Sequence, residues 1–522
     1  MNLWNALEKA KLDHPTRPAI QDGGEVRSWD EVHRRASARA VGLTRVGVEA
    51  GDRIAVLEWN SAAFLELTFA VARVGAVLVP INWRLDGRQV RRVLEKAGAR
   101  MLVANASFEE LVREALDADS RRLEWVAWVA AKGSPSTTGE TAWEDLVDGA
   151  TAMPEAAEHP YVQDAWSEEL AHLYFTSGTT GEPKGVMLTH RNIGVHAEAA
   201  IAELEICESD VWVHVAPMFH LADAWATVAI TLAGGCHVFV PRFDAEELAR
   251  TIGTERVTLT NLIPTMLAAL VEHVRLYPEG FDPSSLRMML SGGAPIAPDL
   301  VRRIVEALDC EYVQTYGMTE TSPYLTLSLL DAGLRRESDE IQFHYRAKTG
   351  RPFRGVELRL VDDEGKPVAA DGKSVGEIQA RGATVTSGYW NAPDATAAAF
   401  DGDWLRTGDL ATLDERGYYD IVDRKKDVII TGGENVYSTE VENVLYEHPS
   451  VLEAAVVGRL DERWGERVHA VVVLTSGART TADELLAHCR AMLPGFKSPK
   501  TLELRDGLPK TGSGKIQKRA LR

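Results

Sequence analysis

Between two apolar runs the chain reads YFTSGTTGEPKGVML, Tyr174 to Leu188, with three glycines, five hydroxyl-bearing residues and one lysine. Such residues suit an anion: glycines let backbone N–H groups approach, hydroxyls donate, and an ammonium adds charge. The spacing is not that of a Walker P-loop, which needs G-x-x-x-x-G-K-[ST]. Gly178, Gly181, Lys184 and Gly185 miss that register, and no Ser or Thr follows the lysine. A second turn, Gly512-Ser513-Gly514-Lys515, fails the same test, since Pro509 stands at the first glycine position and Ile516 follows the lysine. Further along are a carboxylate in RTGDL (Arg406–Leu410) and a charged run, Asp423-Arg424-Lys425-Lys426-Asp427.

The elements that must hold these residues alternate between helical and strand patterns. SWDEVHRRASARAVGLTRVGV repeats Val32, Ala36, Ala40 and Leu43 at helical spacing behind the cap candidate Ser28. DRIAVLEW, SAAFLELTFAVARVG and AVLVPIN then read as strand, helix and strand. The rhythm resumes with VWVHVAP, WATVAITLAGG, HVFVP, AEELARTIGTER, LTNLIP and LRMMLSGG. This predicts right-handed βαβ units on parallel sheets. Residues 131–169 are small, acidic and turn-rich, a surface connection. From about Gly350 short strands and turns predict a small β-rich subdomain. After the charged run a tail of about 95 residues reads as helix (STEVENVLYEHP), strands (VLEAAVVG, HAVVVLT) and helix (TADELLAHCRAMLP).

The 522 residues carry a net charge of −20, which argues against a nucleic-acid surface and against docking on an anionic membrane. An anionic substrate must meet a locally basic site. Cys207, Cys236, Cys310 and Cys489 are dispersed, so neither a zinc site nor a disulfide framework is predicted. The start has early acidic residues and no continuous apolar core, and no apolar run reaches membrane-spanning length. A cytoplasmic protein without a transmembrane segment is expected.

The run Thr176–Gly185 closely resembles the phosphate-binding signature of the adenylate-forming superfamily. That superfamily contains acyl-CoA synthetases, aryl-CoA ligases, luciferases and the adenylation domains of peptide synthetases. YGMTE (Tyr316–Glu320), RTGDL, DRKKDVIITGGENV (Asp423–Val436) and PKTGSGKIQKRAL (Pro509–Leu521) resemble further signatures, in the family's order, so the resemblance covers essentially the whole chain. It implies an α/β fold: a large N-terminal domain of parallel βαβ-type sheets with a small β-rich subdomain, residues 1–425, then a small mobile α+β domain, residues 426–522. It also implies a two-step reaction. A carboxylate attacks the α-phosphorus of ATP, and the acyl-adenylate then passes its acyl group to coenzyme A.

The roles implied by the resemblance fall on named residues. Thr176, Ser177, Gly178, Thr179, Thr180, Gly181 and Lys184 face the β and γ phosphates, and Glu320 with Thr180 holds Mg²⁺. Tyr316 stacks on adenine beside Gly292, Gly293, Ala294, Gln314, Thr315, Gly317, Met318 and Thr319. Asp409 accepts the ribose hydroxyls, and Arg424 bonds ribose or α-phosphate. Lys515 contacts both carboxylate and phosphate during adenylation. Lys426 is the hinge about which the small domain rotates, bringing Gly432, Gly433 and Glu434 toward the path of the CoA thiol arm. Glu320, His220 and Lys515 are the catalytic candidates.

The segment APMFHLADAW, Ala216–Trp225, bears on the acid. Amino-acid-activating relatives place an Asp where His220 stands, and without that carboxylate a buried ammonium would lack a partner. His220 resembles the gating histidine of acyl- and aryl-CoA ligases. With Leu221, Trp225, Leu262, Ile263, Gly317, Met318 and Pro323 as walls, the expected substrate is a fatty acid of medium or longer chain. Aryl, short-chain and thioether acids stay open, as do a carrier-protein pantetheine as acceptor and a homodimer as assembly.

Overall fold

The computed structural model describes residues 1–116, 123–129, 140–143, 165–177, 182–294, 296–510 and 516–522. By compactness the chain forms two units: Met1–Glu357 with Arg381–Leu405, and Leu358–Ala380 with Arg406–Arg522. The division passes through three strands, Val356–Val361, Gly376–Gly382 and Trp404–Leu413. The fold class is as expected: parallel sheets with crossover helices in the large N-terminal part, and a smaller α+β part after it in sequence.

In the first unit the alternating pattern after residue 210, joined by two strands from the N-terminus, builds a sheet of nine strands among the described residues. Its order is Arg351–Pro352, Tyr324–Leu327, Glu311–Gly317, Met288–Gly292, Leu259–Leu262, Val211–His214, Cys236–Phe239, Pro18–Asp22, Glu25–Ser28. The pairings from Glu311–Gly317 across to Pro18–Asp22 are parallel, and the outermost strands at both edges are antiparallel. One face packs Val213, Leu262, Met289 and Tyr312 into an apolar core with Leu248, Leu267, Val301 and Ile304 from the helices Ala245–Thr254, Pro264–Leu276 and Pro298–Leu308. Toward the helix Leu221–Ala233 the sheet turns Trp212 and His214 instead, which contact Trp225 and Asp223 of that helix.

A second sheet runs Glu140–Ala142, Trp125–Val129, Met101–Asn105, Arg53–Leu57, Val77–Pro80, Leu170–Ser177, Pro183–Thr189. Its last two strands form an antiparallel hairpin, and the rest of the sheet is parallel. The helix predicted behind Ser28 is Trp29–Arg45, and the Ser28 hydroxyl accepts from the Glu31 N–H at 3.3 Å. A cap of this kind stabilises a helix by about 1 kcal/mol.

In the second unit the strands Gly376–Gly382, Trp404–Leu413 and Tyr419–Arg424 continue the β-rich region. A further sheet, Glu434–Val436, Ile429–Thr431, Gly465–Leu474, Val451–Asp461, with Thr501–Leu504 parallel to Gly465–Leu474, carries the helices Ser438–Tyr446 and Ala482–Met492. Ile429, Val441, Leu445, Val456, Ala470, Leu485 and Cys489 fill its core. The helix–strand–strand–helix order expected for the tail is the one observed. Among the described residues no helix is long and apolar enough to cross a membrane, and the four cysteines are free, with only Cys207 exposed.

Candidate functional site

The described residues of the glycine-rich run end the two strands of the antiparallel hairpin. Thr176 pairs with Lys184 and Ser177 with Pro183, so the strands end where the run begins. Gly178, Thr179, Thr180 and Gly181 lie outside the described residues. The descending strand is fixed from both sides. Lys96 reaches Glu182 at 2.8 Å, and the Trp390 N–H donates to the Gly185 carbonyl at 2.8 Å.

Two charged candidates meet through one phenol. The Tyr389 hydroxyl donates to Glu320 Oε1 at 2.9 Å, and the Lys184 ammonium lies 5.0 Å from the Tyr389 ring centroid. Glu320 is buried, and its backbone carbonyl accepts from the Thr386 N–H at 2.8 Å. Burial, with the adjacent Glu320 carboxylate, pushes the Tyr389 hydroxyl pKa up, so the phenol keeps its proton and stays a donor. A buried carboxylate held this way fits a Mg²⁺ ligand, because Mg²⁺ takes one or two carboxylates and fills its shell with phosphate and water oxygens. Among the described residues no group of three His, Cys, Asp or Glu forms an all-protein cage.

Gly292 ends the strand Met288–Gly292, and Gly293 and Ala294 follow it, exposed. The neighbouring strand Glu311–Gly317 supplies Gln314, whose amide nitrogen donates to the Ala294 carbonyl at 2.9 Å, and Thr315, whose hydroxyl donates to the Ser291 carbonyl at 3.0 Å. The turn is thus tied to the strand beside it. Tyr316, Gly317, Met318 and Thr319 are half-buried at the end of that strand. Gly317 is required by the chain itself, since a Cβ there would lie 1.8 Å from the Pro323 carbonyl oxygen.

His220 stands at the start of the helix Leu221–Ala233, half-exposed, with Nδ1 accepting from the Ala222 N–H at 3.3 Å. In the neutral ring that contact leaves the proton on Nε2, which makes His220 a donor. The same helix carries a fully buried relay: Asp223 to His214 at 2.6 Å, His214 to His237 at 2.9 Å, His237 to Thr231 at 3.1 Å. Burial raises the Asp223 pKa while His214 opposes the rise, and burial drives the His237 pKa well down.

The expected pocket walls divide. Leu221, Trp225 and Pro323 are buried, and Ile263, Gly317 and Met318 are half-buried. Trp225 points inward, its ring centroid 5.1 Å from Trp212, 5.2 Å from Tyr324 and 5.7 Å from His196, with its indole N–H on the Ala222 carbonyl at 3.1 Å. Leu262 packs wholly into the core on the opposite face of the sheet. Strand alternation turns Asn261 toward the Leu221 helix instead, where its Nδ2 donates to the Ala222 carbonyl at 3.0 Å. Sequence reading missed Asn261 and Tyr389. Alternation in LTNLIP could have pointed to the first, and no local pattern marks the second.

In the second unit Asp409 and Arg424 are cross-strand partners, Nε to Oδ1 at 3.3 Å. Asp423 receives the Ser438 N–H and hydroxyl at the start of the helix Ser438–Tyr446, at 2.5 and 2.8 Å. The Lys426 carbonyl accepts from Arg522 at 2.8 Å, and Arg522 also pairs with Asp427 at 3.0 Å. Gly432 and Gly433 have φ of +61° and +86°, the left-handed region, and Glu434 follows them, exposed. Lys515 lies outside the described residues.

The AMP-binding enzyme family model matches residues 7–390, and that of the AMP-binding enzyme C-terminal domain matches residues 440–515. A feruloyl-CoA synthase from an Amycolatopsis species is 37% identical over 517 residues, 99% of this chain and 97% of the relative. A long-chain-fatty-acid–CoA ligase from Thermus thermophilus is 36% identical over 532 residues, 100% and 95%. The o-succinylbenzoate CoA synthetase of Bacillus subtilis, solved with its acyl-adenylate intermediate, superposes with a TM-score of 0.83 at 30% identity, covering 100% of this chain and 98% of that one.

Proposed function

From the premise that the chain belongs to the AMP-binding enzyme family, as an AMP-forming acyl- or aryl-CoA ligase, we propose that its acid is aromatic. The observation that carries this is the packing behind the first turn of the Leu221 helix. Trp212, Trp225, Tyr324, Phe353 and His196 are each buried and in ring contact. Interiors pack to crystal-like density, so an extended alkyl chain would have to displace these rings, whereas a flat acid needs only the room before them. The first reading, a medium- or long-chain fatty acid, would require Trp225 to give up its bond to Ala222 and swing away.

The chemistry follows from what each residue offers. A carboxylate is a poor electrophile with a poor leaving group. Attack of its oxygen on the α-phosphorus of ATP forms the acyl–phosphate bond and expels pyrophosphate. The CoA thiolate then forms the thioester and expels AMP. Lys184 and the hairpin tip grip the outer phosphates with charge-assisted hydrogen bonds, worth about 1.5–3 kcal/mol each. Glu320 holds Mg²⁺, which when bound neutralises phosphate charge, and Tyr389 orients that carboxylate. Tyr316 carries adenine on its ring, Asp409 accepts the ribose hydroxyls, and Arg424 lies beside Asp409 to bond ribose or α-phosphate. His220 donates from Nε2 to the reacting carboxylate or its carbonyl. Lys515 bridges carboxylate and phosphate in the first half-reaction and withdraws for the second by rotation at Lys426, with Gly432–Glu434 along the thiol's path.

The test is pyrophosphate release across benzoic, cinnamic and straight-chain acids, with and without CoA, and thioester identification by mass. Aromatic acids should give the highest kcat/KM. A preference for chains of twelve carbons or more would overturn the aromatic assignment, and no release with any acid would overturn the activity.

A further inference from the structure

Asn261 has one amide atom engaged and one idle. Its Nδ2 donates to the Ala222 carbonyl, which can only accept, so the orientation of the amide is set by its partner. Its Oδ1 is buried and has no hydrogen-bond partner, and the residue as a whole is 2% exposed. Buried acceptors are nearly always satisfied, and an unsatisfied one calls for a partner from outside the chain or a role.

The surroundings say where that partner comes from. The Ala222 carbonyl bound by Asn261 lies two residues past His220, in the first turn of the helix Leu221–Ala233. Within that turn Ala222 and Ala224 are half-exposed while Leu221, Asp223 and Trp225 are buried. Ile263, Gly292, Gly317 and Met318, at the ends of the adjoining strands, are half-exposed too. The idle oxygen therefore belongs to a residue anchored to the turn that follows His220, next to these half-exposed strand ends.

The geometry points to Asn261 as a specificity-determining residue whose Oδ1 accepts a hydrogen bond from a donor on the acyl part of the substrate, a phenolic hydroxyl or ring amine. This rests on the reading of the chain as an acid:CoA ligase for aromatic acids and narrows it to donor-bearing aryl acids. The discrimination has a stated source. An acid lacking the donor leaves Oδ1 unpaired, and a site built to bond a polar group rejects analogues lacking it far more strongly than an apolar pocket rejects a missing methylene.

The experiment uses matched pairs: 4-hydroxycinnamate against cinnamate, and 4-aminobenzoate against benzoate, with pyrophosphate release as the readout. The intact enzyme should favour the donor-bearing member by at least about tenfold in kcat/KM. Asn261→Leu, close in volume but without an acceptor, should bring the ratio to near one with the KM for ATP unchanged. Asn261→Thr, whose hydroxyl can donate to Ala222 while its lone pairs accept, should restore part of the preference. Equal kcat/KM within the pairs for the unaltered enzyme would overturn the proposal even if the variants failed to fold, since Oδ1 would then be bonded by water. A ratio unchanged in Asn261→Leu would overturn it as well. Release with alkyl acids alone would fell the aromatic reading, and release with none would fell the ligase reading, so the three failures are distinct.

Discussion

The hydroxyl of Tyr389 donates to Glu320 at 2.9 Å while the ammonium of Lys184 lies 5.0 Å from the centre of the same ring. One side chain thereby spaces a carboxylate and a cation, the two groups proposed to act on the triphosphate. Tyr389→Phe keeps the ring under Lys184 and deletes only the donor. A hydrogen bond to a charged group contributes about 1.5–3 kcal/mol, so adenylation should slow by roughly tenfold to a hundredfold. The KM for the acid should stay the same. ATP–pyrophosphate exchange at varied Mg²⁺ checks it, and a rate unchanged at every Mg²⁺ concentration would remove Tyr389 from the phosphate site.

Lys515→Ala should abolish acyl-adenylate formation and spare thioester formation from adenylate supplied ready-made. Single-turnover assays of the two half-reactions separate these effects. Equal loss in both would refute a lysine that serves only the first step.

Lys426→Pro removes a backbone N–H and fixes φ near −65° at the proposed hinge. Adenylation should proceed and thioester formation should stop. Undiminished overall turnover would refute the hinge, and the pyrophosphate and thioester yields measured on one sample decide it.

Trp225→Ala should destabilise the fold by about 3–5 kcal/mol, as large-to-small changes in an aromatic core do, and admit longer straight-chain acids. Denaturant unfolding and the acid panel measure the two consequences. An unchanged acid profile would mean that the ring does not bound the pocket.

Three buried histidines and the half-buried His33 set a pH dependence of stability. Burial lowers the pKa of His172 and His196 to about 3 and of His33 and His190 to about 4. In the unfolded chain they titrate near the usual value, about 6.5, so below it the unfolded state binds more protons. Their contribution is present above about pH 6.5 and is lost as pH falls toward 4, at about 1.4 kcal/mol per pH unit for each fully affected histidine. Unfolding followed from pH 7.5 to 4.5 should show stability level down to about pH 6.5 and falling below it. A flat profile would show that these rings are not held neutral.

Local chemistry was the legible part of this chain. The run Thr176–Gly185 read as a candidate anion site because its residue types are intelligible without the fold, and its described ends pair as the close of a hairpin, Thr176 with Lys184 and Ser177 with Pro183. Ser28 was readable as a cap for the same reason. What depended on pairing was not. The strand Pro18–Asp22 docks beside Cys236–Phe239, more than two hundred positions away in sequence, and no periodicity encodes that partner. LTNLIP was recognised as a strand, yet which of its alternating side chains faces the Leu221 helix is fixed by register with the neighbouring strands. Leu262 accordingly lies in the core, and Asn261 faces that helix. Tyr389 lay unremarked in GYWNAP because its partners, Lys184 and Glu320, come from two other segments.

The pairing of Thr176 with Lys184 also constrains how this enzyme can change over evolutionary time. Side chains alternate faces along a strand, so adding or deleting one residue between Lys184 and Thr189 would invert the lysine and carry it off the Tyr389 ring. Descendants can exchange the residues of that arm by substitution far more readily than by indel. The spacing from Lys184 to the end of its strand should therefore drift less than the identities of the residues that fill it.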